Sequence, residues 1–181
     1  MGAVKKKHLF WLLLPSYWIL TAVAIIVVAS YAFHSMSTLY FQALQHDIHT
    51  RATLLAEHAA PLVEQGDWPA IDRLCKRLGA AAQTRFTIIL PDGRVVGDSD
   101  EKPGDMEYHD DRPEVRQALG GGSGMDRRFS RTVKEELMYI AVPLRGENQE
   151  VLCAVRASLP MTTIQQALNR MGGRFAGAAI L

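Results

Sequence analysis

Residues 9–33 read LFWLLLPSYWILTAVAIIVVASYAF and contain no charged side chain. As a helix, this run of about 25 residues is roughly 37 Å long, whereas the hydrocarbon core of a bilayer is about 30 Å thick. Lys5, Lys6 and Lys7 precede the run, and basic residues favour the cytoplasmic side of a membrane. The run therefore predicts a transmembrane helix with a cytoplasmic N-terminus, and it places the chain from His34 onwards outside the cytoplasm.

A cleaved signal peptide is the alternative interpretation of this N-terminus. The apolar region of a signal peptide usually has about 7–15 residues and ends at a small-x-small cleavage site. The run at residues 9–33 is longer, and no such site follows where cleavage would be expected. We therefore expect a retained anchor in the cell inner (plasma) membrane.

The C-terminus predicts a second membrane helix of which only the start is present. Residues 175–181 read FAGAAIL and follow the basic pair Arg170 and Arg174. So short a segment does not span a bilayer, but it is typical of the first turns of a helix that does. The alternative is an ordinary helical tail. We expect the second span, in which case the chain is a fragment and its output domain lies beyond residue 181.

The segment that follows the first span predicts a continuous helix. Residues 34–60 contain neither Gly nor Pro, and Phe41, Leu44, Ile48 and Leu55 recur at steps of three, four and seven. This apolar stripe packs either on the domain or on the same helix of a second subunit, and both interpretations stay open. The heptad-like spacing favours a parallel homodimer, with these four residues on the dimer helix.

Residues 67–160 predict one α+β domain. Asp67 suits the N-cap of a helix over residues 68–78, with Gly79 at its end. Two strands flank the turn Pro91-Asp92-Gly93, a short helix starts at Pro113, and a final helix starts near Pro160. The five expected strands are residues 85–90, 94–98, 124–132, 137–144 and 151–158. Such an order predicts a five-stranded antiparallel sheet with helices before, between and after its strands.

Four motifs in this domain resemble those of a known family. They read PDGRVVGDS (91–99), MEYHDDRPE (106–114), RFSR (128–131) and MYIAVPL (138–144). Together they resemble the extracytoplasmic PAS-like (single Cache) sensor region of phosphate-regulon-type transmembrane sensor histidine kinases. The resemblance covers roughly residues 5–181. It implies a two-component system in which a cytoplasmic kinase transfers phosphate from ATP, with Mg²⁺, to its own His and then to a response regulator.

The resemblance also implies an order of segments and leaves two other functions open. The expected segments are a cytoplasmic N-terminus (1–8), a transmembrane helix (9–33), a signalling and dimerisation helix (34–66), a PAS-like sensor domain (67–159), an exit helix (160–173) and the start of a second transmembrane helix (174–181). The same outer architecture precedes chemoreceptor coils and cyclic-dinucleotide enzymes. A membrane-anchored binding module that does not signal is the other alternative.

The sequence does not predict catalysis within this chain. It has no GxSxG motif, P-loop, HExxH motif or paired metal-ligand spacing. We therefore assign no catalytic, metal or cofactor residue here, and the kinase residues of the family have no counterpart in these 181 residues. The basic run near Arg127 lacks interleaved aromatic residues, so no nucleic-acid partner is expected.

A binding site is the better hypothesis, with His109, Arg112, Arg131 and Tyr139 as ligand-binding candidates. Two arginines and a histidine suit a small anionic ligand, although a partner protein is the other occupant we considered. The stretch 92–114 carries nine acidic residues and three basic ones. The simpler interpretation, which sequence alone favours, is that both arginines pair with these acids and hold the loop in place.

Two smaller features have an ordinary structural interpretation. Asp98 and Ser99 come at the end of a strand, where such a pair is typically a cap. Cys75 and Cys153 each lie in an apolar pattern, and free cysteine is among the most buried residue types. An extracytoplasmic location permits a disulfide between them without implying one.

Overall fold

The computed structural model describes residues 4–130 and 134–161, with side chains described from Leu14 onwards. Helix α1 runs without interruption from Val4 to Gln65. Within the described residues, its part from Leu14 onwards is one helix that is long and apolar enough, by length and composition, to cross a membrane. The chain divides into two compact units, one ending at Phe41 and the other beginning at Gln42. The predicted exit helix and second span lie almost entirely outside the described residues.

Helix α2 spans Trp68–Ala82, four residues beyond the predicted end at Leu78. Asp67 is its N-cap as expected, because its Oδ1 accepts a hydrogen bond from the Ala70 N–H at 3.0 Å. The predicted cap Gly79 lies inside the helix, and the C-cap is Gln83, whose φ is 49°. The close packing of α2 against Ser99 requires glycine at position 79, because a Cβ there would overlap Ser99 Cβ and lie 2.8 Å from Ser99 Oγ.

The sheet within the described residues has five antiparallel strands in the order β2-β1-β5-β4-β3, which confirms the predicted α+β architecture. The hairpin turn between the first two strands is the predicted one, with the Leu90 N–H bonded to the Arg94 carbonyl at 2.9 Å and Gly93 at φ 85°. The elements are β1 Arg85–Ile89, β2 Val95–Asp98, helix α3 Pro113–Leu119, β3 Gly124–Ser130, β4 Glu135–Arg145 and β5 Val151–Pro160.

The sheet buries both of its faces. On one face α2 packs against β2 so closely that a Cβ at Gly97 would lie 2.8 Å from Ile71 Cγ2 and 3.0 Å from Cys75 Sγ. On the other face α3 covers an apolar cluster that includes Ile89, Val115 and Ala154. This second face also carries the polar side chains described below, because side chains alternate between faces along a strand.

Both cysteines are free thiols in the structure. Cys75 and Cys153 are fully buried and form no disulfide. Burial raises the pKa of each thiol to about 12, and for Cys75 the nearby carboxylates of Asp98 and Asp72 add to this rise. Neither thiol is therefore poised to react, since the thiolate is the reactive species.

Candidate functional site

A cavity of about 660 Å³, here called the sheet cavity, lies on the α3 face of the sheet. Strands β1, β3, β4 and β5 form its floor, and the loop between β2 and α3 forms its wall. Polar side chains predominate in the lining, whereas pockets for apolar ligands are mainly hydrophobic, so the sheet cavity suits a polar ligand. Its lining residues are Arg85, Glu101, Asp105, Met106, Glu107, His109, Asp111, Arg112, Arg128, Phe129, Ser130, Tyr139 and Arg156.

Strand register explains why side chains from distant parts of the chain meet on this floor. Ser158 of β5 pairs with Arg85 of β1 on one side and with Tyr139 of β4 on the other. Two residues earlier in β5, Arg156 pairs with Thr87 and is on the same face. Directly paired residues place their side chains next to each other, so the two rows together make a polar platform.

Arg156 is the most deeply buried charged group of this platform, with 4% of its surface exposed. Its Nη1 lies 3.5 Å from Glu114 Oε1, and its Nη2 donates a hydrogen bond to Thr87 Oγ1 at 3.2 Å. Burial lowers the pKa of Arg156 to about 10, although the carboxylate of Glu114 opposes this fall. Its Nε has no hydrogen-bond partner among the described residues. The buried Nε–H group is therefore an available donor beside the cavity.

Glu114 joins β3 and β5 to the first turn of α3. Its carboxylate is completely buried and accepts two parallel hydrogen bonds from Arg128, each 2.7 Å long. Arg128 also donates to Asp126 Oδ2 at 2.6 Å. Burial acts to lower the pKa of Arg128, but its hydrogen bonds to Glu114 and Asp126 and the charge of Glu114 together raise the pKa above its ordinary value. Paired bonds of this geometry are among the strongest polar contacts in proteins.

The ring of Tyr139 lies against both guanidinium groups. Arg128 Cζ is 4.1 Å and Arg156 Cζ is 5.0 Å from the ring centroid. Both distances are within the range of a cation–π interaction. Tyr139 is 5% exposed, so the ring supports the two arginines from within the floor.

Asp98 anchors the start of the cavity wall. It is fully buried, accepts a hydrogen bond from Thr87 Oγ1 at 2.8 Å and pairs with Arg85 at 3.2 Å. Its Oδ1 also accepts from the backbone N–H groups of Asp100 and Glu101, at 2.9 and 3.0 Å. The neighbouring Ser99 Oγ accepts from the Phe86 N–H at 2.8 Å. The Asp98–Ser99 pair is therefore a strand-end cap.

His109 holds the other end of the wall. Its backbone N–H donates to the Gly93 carbonyl at 2.8 Å, which ties the loop to the β1–β2 turn. His109 is 9% exposed, and its ring Nδ1 has no hydrogen-bond partner in the part of the chain that the structure describes. Burial, followed by the positive charges of Arg156, Arg112 and Arg128, lowers the pKa of His109 to about 4. The imidazole is consequently neutral at pH 7.

The structure brings three of the four predicted site residues together. His109, Arg112 and Tyr139 all line the sheet cavity, whereas Arg131 lies outside the described residues. Arg112 Nε is 3.1 Å from Asp111 Oδ1, so Arg112 also has the acidic partner that the simpler interpretation expects. Their role in binding stays a prediction.

The sequence analysis missed the residues at the centre of the floor. Arg85, Arg128, Arg156 and Glu114 were not proposed, although the last two are buried, with 4% and 0% of their surface exposed. One feature of the sequence did indicate a buried charge in this region. Arg156 lies in the otherwise apolar run VLCAVRAS, and a charged residue in such a strand requires a buried partner.

Two of the four residues assigned to the dimer helix serve the core of a single chain instead. Ile48 and Leu55 are 0% and 1% exposed, so neither is available to a second subunit in this conformation. At these two positions the stripe packs on the domain, and the homodimer stays a prediction. Phe41 and Leu44 are partly exposed.

Comparison with solved structures identifies the fold. No protein-family model and no curated protein matches the sequence. The sensor domain of the V. cholerae histidine kinase DctB matches 76% of this chain, with a TM-score of 0.61 and 13% identity. The chain has a PAS/Cache-like fold. The match spans 57% of the DctB domain, so this chain corresponds to only part of that structure.

Other solved structures share this PAS/Cache-like fold. The ligand-binding domain of the Campylobacter jejuni chemoreceptor Tlp3, in complex with L-valine, matches 75% of the chain and 60% of its own length, at a TM-score of 0.61 and 11% identity. The E. coli DcuS sensor domain matches 68% of the chain and 96% of its own length, at a TM-score of 0.55 and 13% identity. The fold is thus shared by sensor domains of histidine kinases and of chemoreceptors.

Proposed function

We propose that this chain is the ligand-sensing and transmembrane-signalling region of a membrane-anchored receptor. The observation that carries the proposal is the sheet cavity, in which Arg156, Arg128 and His109 converge from separate strands and a loop. Buried guanidinium and imidazole groups are suited to bind a small ligand that carries an anionic group. The fold supports the same function, because sensor domains of several receptors share it.

The domain from Gln42 onwards would lie outside the cytoplasm, with helix α1 connecting it to the inner membrane. The basic residues at positions 5–7 favour this orientation. Ligand binding would favour one of two arrangements of the helices that enter the membrane, since a ligand shifts an equilibrium by its difference in affinity for the two states. A parallel homodimer would transmit such a shift between paired helices.

Our preferred output is a sensor histidine kinase of the phosphate-regulon type. In this proposal a cytoplasmic kinase uses ATP and Mg²⁺ and then phosphorylates a response regulator. The motifs at residues 91–99 and 106–114 support it by resemblance. A chemoreceptor is the second candidate, favoured by the fold shared with the C. jejuni protein. A His-containing dimerisation helix downstream would indicate the kinase, whereas long uninterrupted heptads would indicate the chemoreceptor.

Ligand-dependent thermal stability tests the proposed function. The full chain in lipid nanodiscs would be melted with the common amino acids and with small mono- and dicarboxylates. A ligand present at 100 times its Kd stabilises the folded state by about 2.7 kcal/mol, which gives a measurable rise in Tm. The His109→Ala variant should lose this rise, and His58→Ala, at an exposed position outside the cavity, should keep it. The proposal would be contradicted if no compound of the panel raised the Tm of wild type. It would also be contradicted if His109→Ala kept the ligand-dependent rise in Tm.

A further inference from the structure

The floor of the sheet cavity is electrically balanced. Three guanidinium groups face three carboxylates in what we call the floor cluster: Arg85, Arg128, Arg156, Asp98, Glu114 and Asp126. Within it Arg85 pairs with Asp98 at 3.2 Å, and Glu114 pairs with both Arg128 and Arg156, at 2.7 and 3.5 Å. Asp126 completes the cluster at 2.6 Å from Arg128. The positive charge that would otherwise attract an anion is therefore already neutralised.

The hydrogen-bonding capacity that remains includes three buried side-chain atoms. Arg156 Nε, His109 Nδ1 and Arg112 Nε lie on residues that line the cavity and have no hydrogen-bond partner within residues 4–130 and 134–161. Arg112 Nε is 3.1 Å from Asp111 Oδ1, so its charge is paired although it makes no hydrogen bond. Buried polar atoms nearly always have partners in native proteins, so three such atoms beside one cavity indicate positions for ligand atoms. They can hold a polar ligand without any change in the charge of the floor.

The rim of the cavity adds negative charge. Glu101, Asp105, Glu107 and Asp111 are exposed at the edge of the cavity, and Arg112 is the one arginine of the lining outside the floor cluster. A multiply charged anion would lose its hydration at the balanced floor and meet like charges at the rim. An ammonium group, by contrast, would find a carboxylate there.

We propose that Glu114 sets the charge preference of the sheet cavity, which takes a small polar ligand of zero net charge, such as a zwitterion, and rejects inorganic phosphate and other dianions. This inference rests on the proposed function, since it describes the ligand of the same site. Glu114 acts as a specificity residue through the floor, because its single carboxylate is the counter-ion that Arg128 and Arg156 share.

Calorimetric titration with inorganic phosphate tests this role. Wild type and Glu114→Gln would be compared as full chains in phosphatidylcholine nanodiscs. Glutamine keeps the shape and one acceptor oxygen for Arg128, but it leaves an uncompensated positive charge on the floor. The variant should bind phosphate about tenfold more tightly than wild type. Glu57→Gln makes the same charge change at an exposed position on α1 and should leave phosphate binding unchanged. Equal phosphate affinity in wild type and Glu114→Gln would overturn the proposal.

Asp126→Asn provides a second variant if Glu114→Gln does not fold. Asp126 lies at the partly exposed edge of the floor cluster and is bonded to Arg128 alone among the arginines of the cluster. A gain of about threefold in phosphate affinity is expected, and no gain would overturn the proposal.

The two proposals fail in distinguishable ways. If no compound of the amino acid and carboxylate panel binds wild type, the proposed function fails, and the phosphate comparison still decides the role of Glu114. If wild type binds a dianion tightly, the proposed function stands and the charge preference is overturned.

Discussion

Arg156 and Glu114 form a buried ion pair, with 3.5 Å between Nη1 and Oε1, although they are 42 residues apart in the sequence. Their side chains are 5% and 0% exposed. The pair connects the central strand β5 to the start of α3, and Arg128 extends it to the edge strand β3. A ligand that contacts this pair thus acts on three elements at once, which is a physical route from binding to a change in the domain.

Loss of Glu114 should destabilise the domain strongly. Glu114→Ala leaves the buried Arg156 without a counter-charge and leaves Arg128 with Asp126 as its acidic partner. Removal of one partner of a buried pair costs about 3–5 kcal/mol. Denaturation of the full chain in detergent would measure the free energy of unfolding. The exposed rim residue Glu107 provides the control, since Glu107→Ala should change stability by less than about 0.5 kcal/mol. A loss below 1 kcal/mol for Glu114→Ala would show that the pair contributes little.

His109 should make stability depend on pH. Its pKa is about 4 in the folded protein against 6.5 for the ordinary group, so the unfolded chain binds the proton more readily. The contribution of the neutral ring is therefore complete above about pH 6.5 and is lost as pH falls towards 4. Between pH 7 and pH 4.5 the loss amounts to about 2 kcal/mol.

Comparison of variants isolates this contribution from that of the acidic residues. The fall in unfolding free energy between pH 7 and pH 4.5 should be about 2 kcal/mol smaller in His109→Gln than in wild type. His58→Gln, at an exposed position, should show the wild-type dependence. Parallel pH profiles for wild type and His109→Gln would argue against a depressed pKa.

Gly124 should not accept a side chain. A Cβ at this position of β3 would overlap the Glu114 carbonyl oxygen and lie 2.6 Å from its Cα. Both atoms belong to the backbone of α3, so the helix itself would have to move, and overpacking of this kind costs about 1–3 kcal/mol or more. Gly104→Ala is the matched control, because nothing lies within 4 Å of a Cβ there. Thermal melts that are identical for the two variants would refute the close contact of β3 with α3.

The dimer, if it uses helix α1, should use a different face from the one predicted by the stripe. Leu54 is 51% exposed, whereas its neighbour Leu55 is 1% exposed. Single cysteines at exposed positions should form crosslinks with a period near 3.5 residues, and a cysteine at Leu55 should not. Exposed positions that follow this spacing are Ala43, His46, Thr50, Leu54, Glu57 and Pro61. Crosslinking that is absent along the whole helix would contradict the dimer.

The orientation in the membrane is testable with reporter fusions. We expect a reporter that is active only outside the cytoplasm to work when fused at Gly66 or Gly146, because Lys5, Lys6 and Lys7 precede the apolar run. Fusion at residue 4, before the lysines, is the control and should be inactive. Activity of a cytoplasmic reporter at Gly146 would reverse the topology and remove the basis of the sensor proposal.

Local chemistry made several elements predictable. The N-cap at Asp67, the turn at Pro91-Asp92-Gly93 and the start of α3 at Pro113 each depend on residues within one turn of the chain. Helix ends were harder, because Gly79 is a typical C-cap residue that is used here for close packing against Ser99. The apolar stripe of α1 showed which face is buried, but a stripe has the same spacing whether it packs on its own domain or on a second chain.

The sequence by itself determined the apolar helix of α1, the α+β order of elements and three residues of the cavity lining, His109, Arg112 and Tyr139. Only the tertiary structure decided that Arg156 and Arg128 share the carboxylate of Glu114. The physical reason is the distance along the chain over which each interaction acts. Hydropathy and turn preference act between neighbours in the chain, whereas the position of a buried charge depends on strand order and register across the sheet. Those pairings bring β5, β4 and β3 side by side, and no local pattern encodes them.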